Sequence, residues 1–216
     1  MKTILATSFV ILYFLTACGH KCDESPSGLS QAQQVNAIVT NENAYRESLG
    51  QTLLSSGLSC TVQAVASGSY LSSASPGYTV AQALVMTGLS YSYLLTNGFD
   101  QANSNAGPNS IITPQLQPLF LNNNYKVVCT GQLVVLEDGY HSFVVSSDDG
   151  AILTVDNTVV VNNDGNHGIT TVTGSKNLRT DTVHSFSLQY AQSGAGQFAM
   201  ILSMDGSLLP AMNLFH

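Results

Sequence analysis

Apolar and polar positions divide the chain into two parts. After Ser30, apolar residues recur every three or four positions, which is the period of an amphipathic helix. Ser30 and Gln33 have the spacing of a capping box, and Gly57 can end the helix. The sequence therefore predicts one N-terminal amphipathic helix over residues 30–57, with an apolar face made of Val35, Ile38, Val39, Tyr45, Leu49 and Leu53. This face either packs on its own domain, which is the more common use of such a stripe, or forms a stalk or partner-binding surface.

From residue 58 onward the pattern changes to short runs of β-branched and aromatic residues, separated by Gly, Asn, Asp and Ser. Such runs predict strands near 60–66, 84–95, 125–136, 139–147, 150–155, 158–162, 169–173, 182–191 and 197–204. The segments ASPGYTVAQ and NGFDQANSNAGPNS are predicted loops. We therefore expect a mainly β domain over residues 58–216, built as an antiparallel sandwich or barrel.

The first seventeen residues contain one Lys followed by an apolar run too short for a membrane span, which is typical of an export signal. The run ends in Leu15-Thr16-Ala17-Cys18-Gly19, which resembles the lipobox of bacterial lipoproteins. That resemblance implies removal of residues 1–17, lipid on Cys18, and a lipidated anchor and linker over residues 18–29. By resemblance to the sorting pattern of such lipoproteins, Gly19 rather than Asp after the cysteine implies the outer membrane or cell surface of the bacterial envelope. The alternative is an ordinary secretory signal with an incidental cysteine.

The chain carries six Lys and Arg against thirteen Asp and Glu, with a formal net charge of −7. No basic patch can form that would neutralise several phosphates, so the composition excludes a nucleic-acid partner. If Cys18 carries lipid, Cys22, Cys60 and Cys129 remain in an oxidising compartment. Cys60 and Cys129 both lie in strand-like surroundings, so a bridge between them is favoured, although pairing with Cys22 stays open. The five histidines have no metal-ligand spacing.

Four of the thirteen acidic residues lie between residues 146 and 168. Asp156 and Asn157 stand between alternating apolar residues, which predicts a two-residue hairpin turn whose central positions tolerate positive φ. Asp148 and Asp149 need another explanation, because neighbouring residues on a regular strand point to opposite faces. Their carboxylates can converge only if the backbone turns sharply, as Gly150 would permit. Two converging like charges then require a cation.

The stretch from Val128 to Val161 includes VCTGQLVV, DGYHSF, SSDDGAIL, VDN and VVV, and it resembles the signature of the protective-antigen-fourteen (PA-14) domain family. The resemblance covers residues 125–205 best and implies an antiparallel β-sandwich. In the sugar-binding branch of that family the equivalent acidic pair is joined by a cis peptide and holds calcium, which binds sugar hydroxyls. By resemblance, Asp148 and Asp149 are candidate calcium ligands.

This sequence departs from that pattern in the loop after Tyr190, which reads AQSGAGQ and offers side-chain oxygens only from Gln192, Ser193 and Gln197. Calcium takes six to eight oxygen ligands, so two carboxylates are not a complete site. A purely structural D-D-G turn is the alternative. The most polar loop of the chain follows, and its amides and imidazole suit sugar hydroxyls. Its candidate ligand-binding residues are Asn162, Asn163, Asp164, Asn166 and His167.

Three function classes follow from these observations. The first is an anchored module that binds carbohydrate or another component of the cell envelope, with calcium as its one candidate cofactor. The second is a structural or protein-interaction sandwich without sugar binding. Catalysis is not expected, because carboxylates that hydrolyse glycosides stand about 5 Å or more apart across the bond, whereas Asp148 and Asp149 are adjacent.

The lipobox-like segment predicts that Cys18→Ala releases the protein from membranes. Loss of the acyl chains removes the burial of their methylene groups, each of which contributes about 0.8 kcal/mol of membrane affinity. Detergent phase partition and metabolic lipid labelling measure the change. A Cys18→Ala variant that stays in the detergent phase would contradict lipidation at this cysteine, and Cys22→Ala serves as the matched control.

Overall fold

A computed structural model describes residues 29–64, 79–86, 91–93, 124–193 and 198–216 of the 216-residue chain. The signal segment, Cys18, Cys22 and the predicted loop NGFDQANSNAGPNS lie outside the described residues. None of the helices in the described ranges has the length and apolar content that a membrane span requires.

The described residues contain one α-helix, α1, and twelve strands in chain order. Their bounds are α1 Gln31–Ser48, β1 Leu58–Ala64, β2 Thr79–Met86, β3 Tyr91–Tyr93, β4 Asn124–Leu133, β5 Gly139–Asp148, β6 Ala151–Val155, β7 Thr158–Asn163, β8 Thr170–Leu178, β9 His184–Ser193, β10 Phe198–Met204, β11 Ser207–Leu208 and β12 Leu214–Phe215.

These strands form two antiparallel sheets, which confirms the mainly β fold with an N-terminal helix. The first sheet has the order β2-β1-β4-β9-β6-β7, with β12 also pairing β4. The second has the order β11-β10-β5-β8, with β3 also pairing β10. Strand β5 lies in the second sheet and β6 in the first, so the short link between them crosses from one sheet to the other.

The hydrophobic core lies between the sheets because apolar and polar residues alternate along the strands. Phe143 and Val145 of β5 are fully buried, as are Leu153 and Val155 of β6. The core also contains a disulfide between Cys60 and Cys129, which are directly opposite on β1 and β4. The bridge closes a loop of 69 residues. By loop-closure entropy it contributes about 4 kcal/mol to the free energy of unfolding.

The helix is shorter than the sequence predicts. Its capping box at Ser30 and Gln33 is present, but it ends at Ser48 and its C-cap is Leu49 rather than a residue near 57. Gly50 follows in the left-handed region, at φ 67°. Tyr45, Leu49 and Leu53, which were predicted to belong to the apolar face, are more than 40% exposed.

A turn back onto the domain explains the early end of the helix. The side chain of Asn43 accepts a hydrogen bond from Leu54 N at 2.7 Å and donates one to Leu54 O at 3.1 Å. Leu54 thereby packs with Val35 and Val39 against Val134, which follows β4, and Phe215 of β12. The helix therefore packs on its own domain through the first half of its apolar face, Val35, Ile38 and Val39.

Two further details correct the sequence prediction. The segment ASPGYTVAQ is not all loop, because β2 begins at Thr79, and the strand predicted over 84–95 is divided between β2 and β3. Strand β8 extends to Leu178, beyond the predicted 169–173, and Gly174 lies inside it. A Cβ at Gly174 would lie only 1.8 Å from Val160 O, so the close approach of β7 to β8 requires glycine at this position.

The predicted hairpin at Asp156 and Asn157 is present, and both residues have positive φ, 47° and 58°. The Asp156 carboxylate leaves the turn and bonds strand β9: Oδ2 lies 2.8 Å from His184 Nδ1, and Oδ1 accepts from Ser185 N at 3.1 Å. Asp156 N in turn donates to Ser185 O. Asp156 is therefore a structural residue that holds the β6–β7 hairpin to the neighbouring strand.

The second sheet repeats this arrangement. Asp205, at φ 52°, forms the β10–β11 turn. Its Oδ2 lies 2.7 Å from His141 Nδ1, and its Oδ1 accepts from Ser142 N at 2.9 Å. The repeat is visible in the sequence as the tripeptide His-Ser-Phe, once at 141–143 and once at 184–186. One turn in each sheet is therefore fixed by the same set of contacts.

The His141 ring is buried between two acceptors, because Nε2 lies 2.9 Å from Glu137 O while Nδ1 faces Asp205. Only a protonated imidazole donates to both. Burial by itself lowers the pKa of His141, but the hydrogen bonds to Asp205 and Glu137 and the negative charges of both residues outweigh it, and the pKa is raised overall.

We predict that His141 stabilises the fold most at low pH. Because the folded-state pKa is raised, the contribution is fully present below the unfolded-state pKa of about 6.5 and is lost as pH rises through the folded-state value. His141→Gln should therefore destabilise the protein on the order of 1–3 kcal/mol at pH 6 and by less at pH 9. Urea unfolding at both pH values measures this. A loss that is equal at the two pH values would contradict a protonated His141, and an Asp205→Asn background should remove the pH dependence.

Candidate functional site

The predicted acidic pair lies where the chain crosses between the sheets. Asp148 ends β5, and Asp149 and Gly150 lead into β6. The peptide bond between the two aspartates is cis. Both residues are buried, with exposures of 7% and 4%. Both aspartates therefore lie inside the domain, and the charge of Asp149 acts on the Asp148 carboxyl.

The Asp149 carboxylate connects two separate segments. Its Oδ1 accepts a hydrogen bond from His167 N at 2.9 Å, and its Oδ2 accepts one from Ser193 N at 2.7 Å. His167 belongs to the polar loop after β7, and Ser193 is the last residue of β9. One side chain thus fixes the loop and the strand end relative to the acidic turn.

Gly150 allows the same loop to approach the turn closely. A Cβ at this position would lie 2.9 Å from Gly165 N and 3.0 Å from Asp164 Oδ1. Real Cβ atoms essentially never come this close to backbone, so any other residue would push the loop away. The polar loop therefore packs directly against the D-D-G turn.

Gln192 organises the buried side of the site. Its Oε1 accepts from Asp149 N at 3.2 Å and lies 2.6 Å from the Tyr190 hydroxyl. Its side chain also hydrogen-bonds the Asp148 carboxylate. The Tyr190 hydroxyl additionally lies 2.5 Å from Asp148 O. Gln192 is one of the three residues after Tyr190 that have a side-chain oxygen. That oxygen already accepts hydrogen bonds from within the protein.

The electrostatics of the pair are unfavourable for two negative charges. Burial raises the pKa of Asp148, and the neighbouring charge of Asp149 raises it further, while His167 and the Gln192 hydrogen bond oppose the shift. Among the described residues no Lys or Arg forms an ion pair with either carboxylate. A buried carboxylate pair of this kind favours either a proton or a bound cation.

The polar loop contains both structural and exposed members. Asn163 is buried, and its amide nitrogen donates to Ser147 Oγ at 2.7 Å and Thr170 O at 3.0 Å. It therefore holds the loop and differs from the expectation of a ligand-facing amide. The His167 ring is also held locally, with Nε2 3.0 Å from Asn163 O and Nδ1 2.9 Å from Gly168 O.

The other predicted loop residues remain closer to solvent. Asn162 and Asn166 are exposed, and Asp164 is half-buried. Asn162 Oδ1 accepts from Asp164 N at 3.0 Å, which shapes the loop. The surface beside the acidic pair thus offers amide and carboxylate groups suited to hydroxyl ligands.

The acidic pair fits calcium in charge and ligand type, since carboxylate oxygens are what calcium prefers. It does not by itself supply six to eight ligands, and no group of three or more His, Cys, Asp or Glu residues suited to a metal occurs in the described ranges. Gln197, the third residue after Tyr190 with a side-chain oxygen, lies outside the described residues. Any calcium held here would need further oxygens from main-chain carbonyls, solvent or a ligand.

The site lies in a part of the chain that resembles a known domain family. The family model of the PA14 domain matches residues 112–208, which include the acidic turn, the polar loop and β9. The fold is PA14-like. No curated protein sequence matches the chain.

Solved structures support the same fold. The PA14 domain of the antifreeze protein MpAFP is similar at TM-score 0.56 and 19% identity, with 75% of this chain and 91% of that chain covered. A PA14 sugar-binding domain from an RTX adhesin matches at TM-score 0.51 and 20% identity, with 74% and 98% covered. An anti-sigma factor domain-containing protein matches at TM-score 0.51 and 14% identity over 76% of this chain, and the match spans about half (49%) of that longer protein.

The two aspartates of the PA14-like domain should respond oppositely to substitution. Asp148→Asn removes one of two buried like charges at constant size, so the calcium-free protein should become more stable. Asp149→Ala removes two hydrogen bonds to a charged acceptor, each of which contributes about 1.5–3 kcal/mol, so it should lose on the order of 3 kcal/mol or more. Urea unfolding in the presence of a chelator measures both changes.

The matched control for both variants is Asp181→Asn, because Asp181 is exposed and its ion-pair partner Arg179 is exposed too. Its substitution should change stability little. Equal destabilisation by Asp148→Asn and Asp149→Ala would show that the two carboxylates do not differ in role as the geometry requires.

Proposed function

We propose that this protein is a binding module of the bacterial envelope that recognises a saccharide at the acidic turn and polar loop, with calcium held by Asp148 and Asp149. The observation that carries the proposal is the buried carboxylate pair, which has no basic partner among the described residues and lies directly beside exposed amides. When bound, calcium would neutralise the pair and offer coordination positions to sugar hydroxyls.

The residues of the chain have separable tasks in this proposal. Asp149 positions the loop through His167 N and the end of β9 through Ser193 N. Gln192 orients the acidic turn from the buried side. Asn162 and Asn166 are placed to exchange hydrogen bonds with hydroxyl groups, since each amide carries both donors and an acceptor. The similarity to a sugar-binding PA14 domain supports this choice of ligand through the fold alone.

The same contacts favour binding over catalysis. Asp149 uses both carboxylate oxygens to hold the fold, and Asp148 is its direct neighbour. Neither side chain is placed to protonate a leaving group across a bond from the other. We therefore propose a binding protein without enzymatic activity.

We further propose that lipid on Cys18 tethers this module to the outer membrane or cell surface, with residues 18–29 as the linker. The lipobox-like segment LTAC supports this, as does the short distance in sequence from Cys18 to α1. The helix packs on the domain through Val35 and Val39. A tether of this kind would present the whole domain, helix included, to ligands outside the membrane.

A second candidate function is a structural or protein-interaction sandwich that binds no sugar. The observation in its favour is that Asp149, Gln192 and Asn163 are all satisfied within the protein, so the turn can hold its shape without a ligand. In that case the acidic pair is relieved by a proton shared at Asp148 rather than by a metal.

The two functions are separated by a glycan array and by calorimetric unfolding with and without calcium. The proposal predicts that calcium raises the melting temperature, because a ligand that binds only the folded state stabilises it by about 2.7 kcal/mol at one hundred times its dissociation constant. It also predicts calcium-dependent retention of one class of glycan. Asp148→Asn should abolish both effects in a folded protein, while Asp181→Asn should retain them.

A protein with no calcium response and a flat glycan array would overturn the metal and sugar proposals together. Glycan binding that persists in a chelator and in Asp148→Asn would overturn the calcium assignment while leaving a sugar-binding loop.

A further inference from the structure

A second cleft lies on the outer face of the first sheet, away from the acidic turn. Its volume is about 490 Å³. Its walls are formed by strands β1, β4, β9 and β6 on one side and by Arg46 of α1 and His216 on the other. Cavities of this size are common for small-molecule and oligosaccharide ligands. The cleft borders Ser185 and Ser187 near the start of β9, whereas the acidic site lies at the other end of that strand.

A row of hydroxyl groups crosses the floor of this cleft. Ser59 is opposite Thr130, Thr130 is opposite Ser187, and Ser187 is opposite Thr154, so the row contains one hydroxyl from each of four adjacent strands. Their neighbours in sequence, such as Cys60, Cys129, Leu188 and Leu153, point into the core. Because side chains alternate along a strand, the four hydroxyls all face outward.

The row is not used by the fold. In the described part of the chain, none of these four hydroxyls forms a side-chain hydrogen bond with another protein group. These outward-facing hydroxyls are therefore available to a ligand in the cleft.

Arg46 brings one positive charge to the cleft, and no Asp or Glu is among the described residues that line it. Glu42, on the same helix face, forms an ion pair with Arg46. Arg46 Nε is held by Glu42 Oε1 at 2.7 Å, and one terminal nitrogen lies 3.4 Å from Thr52 O. These contacts fix the guanidinium and leave donors that suit a carboxylate.

We infer that this cleft is a second binding site, for an extended glycan chain that carries carboxylate groups, of the uronic acid class. Hydroxyls repeat across the sheet at about 4.8 Å, the spacing of adjacent strands. This repeat is comparable to the length of one sugar ring, so successive rings can meet successive strands. A carboxylate at one end of the bound segment pairs with Arg46. The inference does not depend on the proposed site at Asp148 and Asp149, because the two sites share no residue.

Calorimetric titration of the purified full-length protein with oligogalacturonate in a chelator tests this inference. Wild type is expected to bind saturably. Thr130→Val and Thr154→Val each remove one hydroxyl while keeping shape and strand propensity, and each should weaken binding by about fivefold. Arg46→Gln should weaken it by about tenfold and abolish the preference for oligogalacturonate over a neutral glucan of equal length.

Two controls make the outcome specific. Thr173→Val changes an exposed residue of β8 in the other sheet and should leave binding intact, as should Asp148→Asn. Melting temperatures check that every variant is folded. Absence of saturable binding by folded wild type overturns the inference, and so does binding that survives the threonine and arginine changes or is lost in Asp148→Asn.

Discussion

The Asp149 carboxylate is the interaction on which the candidate site depends. Both of its oxygens accept backbone N–H groups, one from the loop after β7 and one from the end of β9. These segments are far apart in sequence and meet only because β5 passes from the second sheet to β6 in the first through the acidic turn. A charged acceptor forms stronger hydrogen bonds than a neutral one, so an isosteric amide would not hold the two segments equally. The burial of that charge, in turn, leaves Asp148 beside it in an unfavourable setting that a cation would relieve.

The rest of the fold is held together by a few kinds of interaction that recur in both sheets. Asp156 and Asp205 each form a turn with positive φ and bond the His-Ser pair of a neighbouring strand, one in each sheet. The disulfide joins β1 to β4 inside the core. Polar residues at the sheet ends are thus tied to backbone groups, while the interior remains apolar. The acidic pair stands out against this background because both carboxylates are buried and, in the part of the chain that the structure describes, no Lys or Arg forms an ion pair with either.

Much of this arrangement can be predicted from the sequence, because it depends on local preferences. The capping box, the Asp156-Asn157 turn and most strand positions follow from residue types and their spacing. The helix end also has a local cause, because Gly50 adopts φ 67° after the C-cap and Gln51 N bonds Arg46 O. Leu49 and Leu53 hide this end because they continue the helical period, and the path of the chain afterwards is set by the contact of Asn43 with Leu54. The roles of Gln192 and Asn163 are likewise set by partners distant in sequence. The sequence shows the repeated tripeptide His-Ser-Phe. Only the structure shows that the histidine of each copy bonds the carboxylate of a turn aspartate, Asp205 in the first copy and Asp156 in the second.

The most direct measurement is the backbone amide NMR spectrum of the protein during calcium addition. If Asp149 joins the loop to β9 at a calcium site, the resonances of His167, Ser193 and Gly150 should shift together and saturate with one dissociation constant, and their hydrogen exchange should slow. Amides of the Asp156 and Asp205 turns should be unchanged. Resonances at His167 and Ser193 that exchange rapidly with solvent and do not respond to calcium would contradict the account.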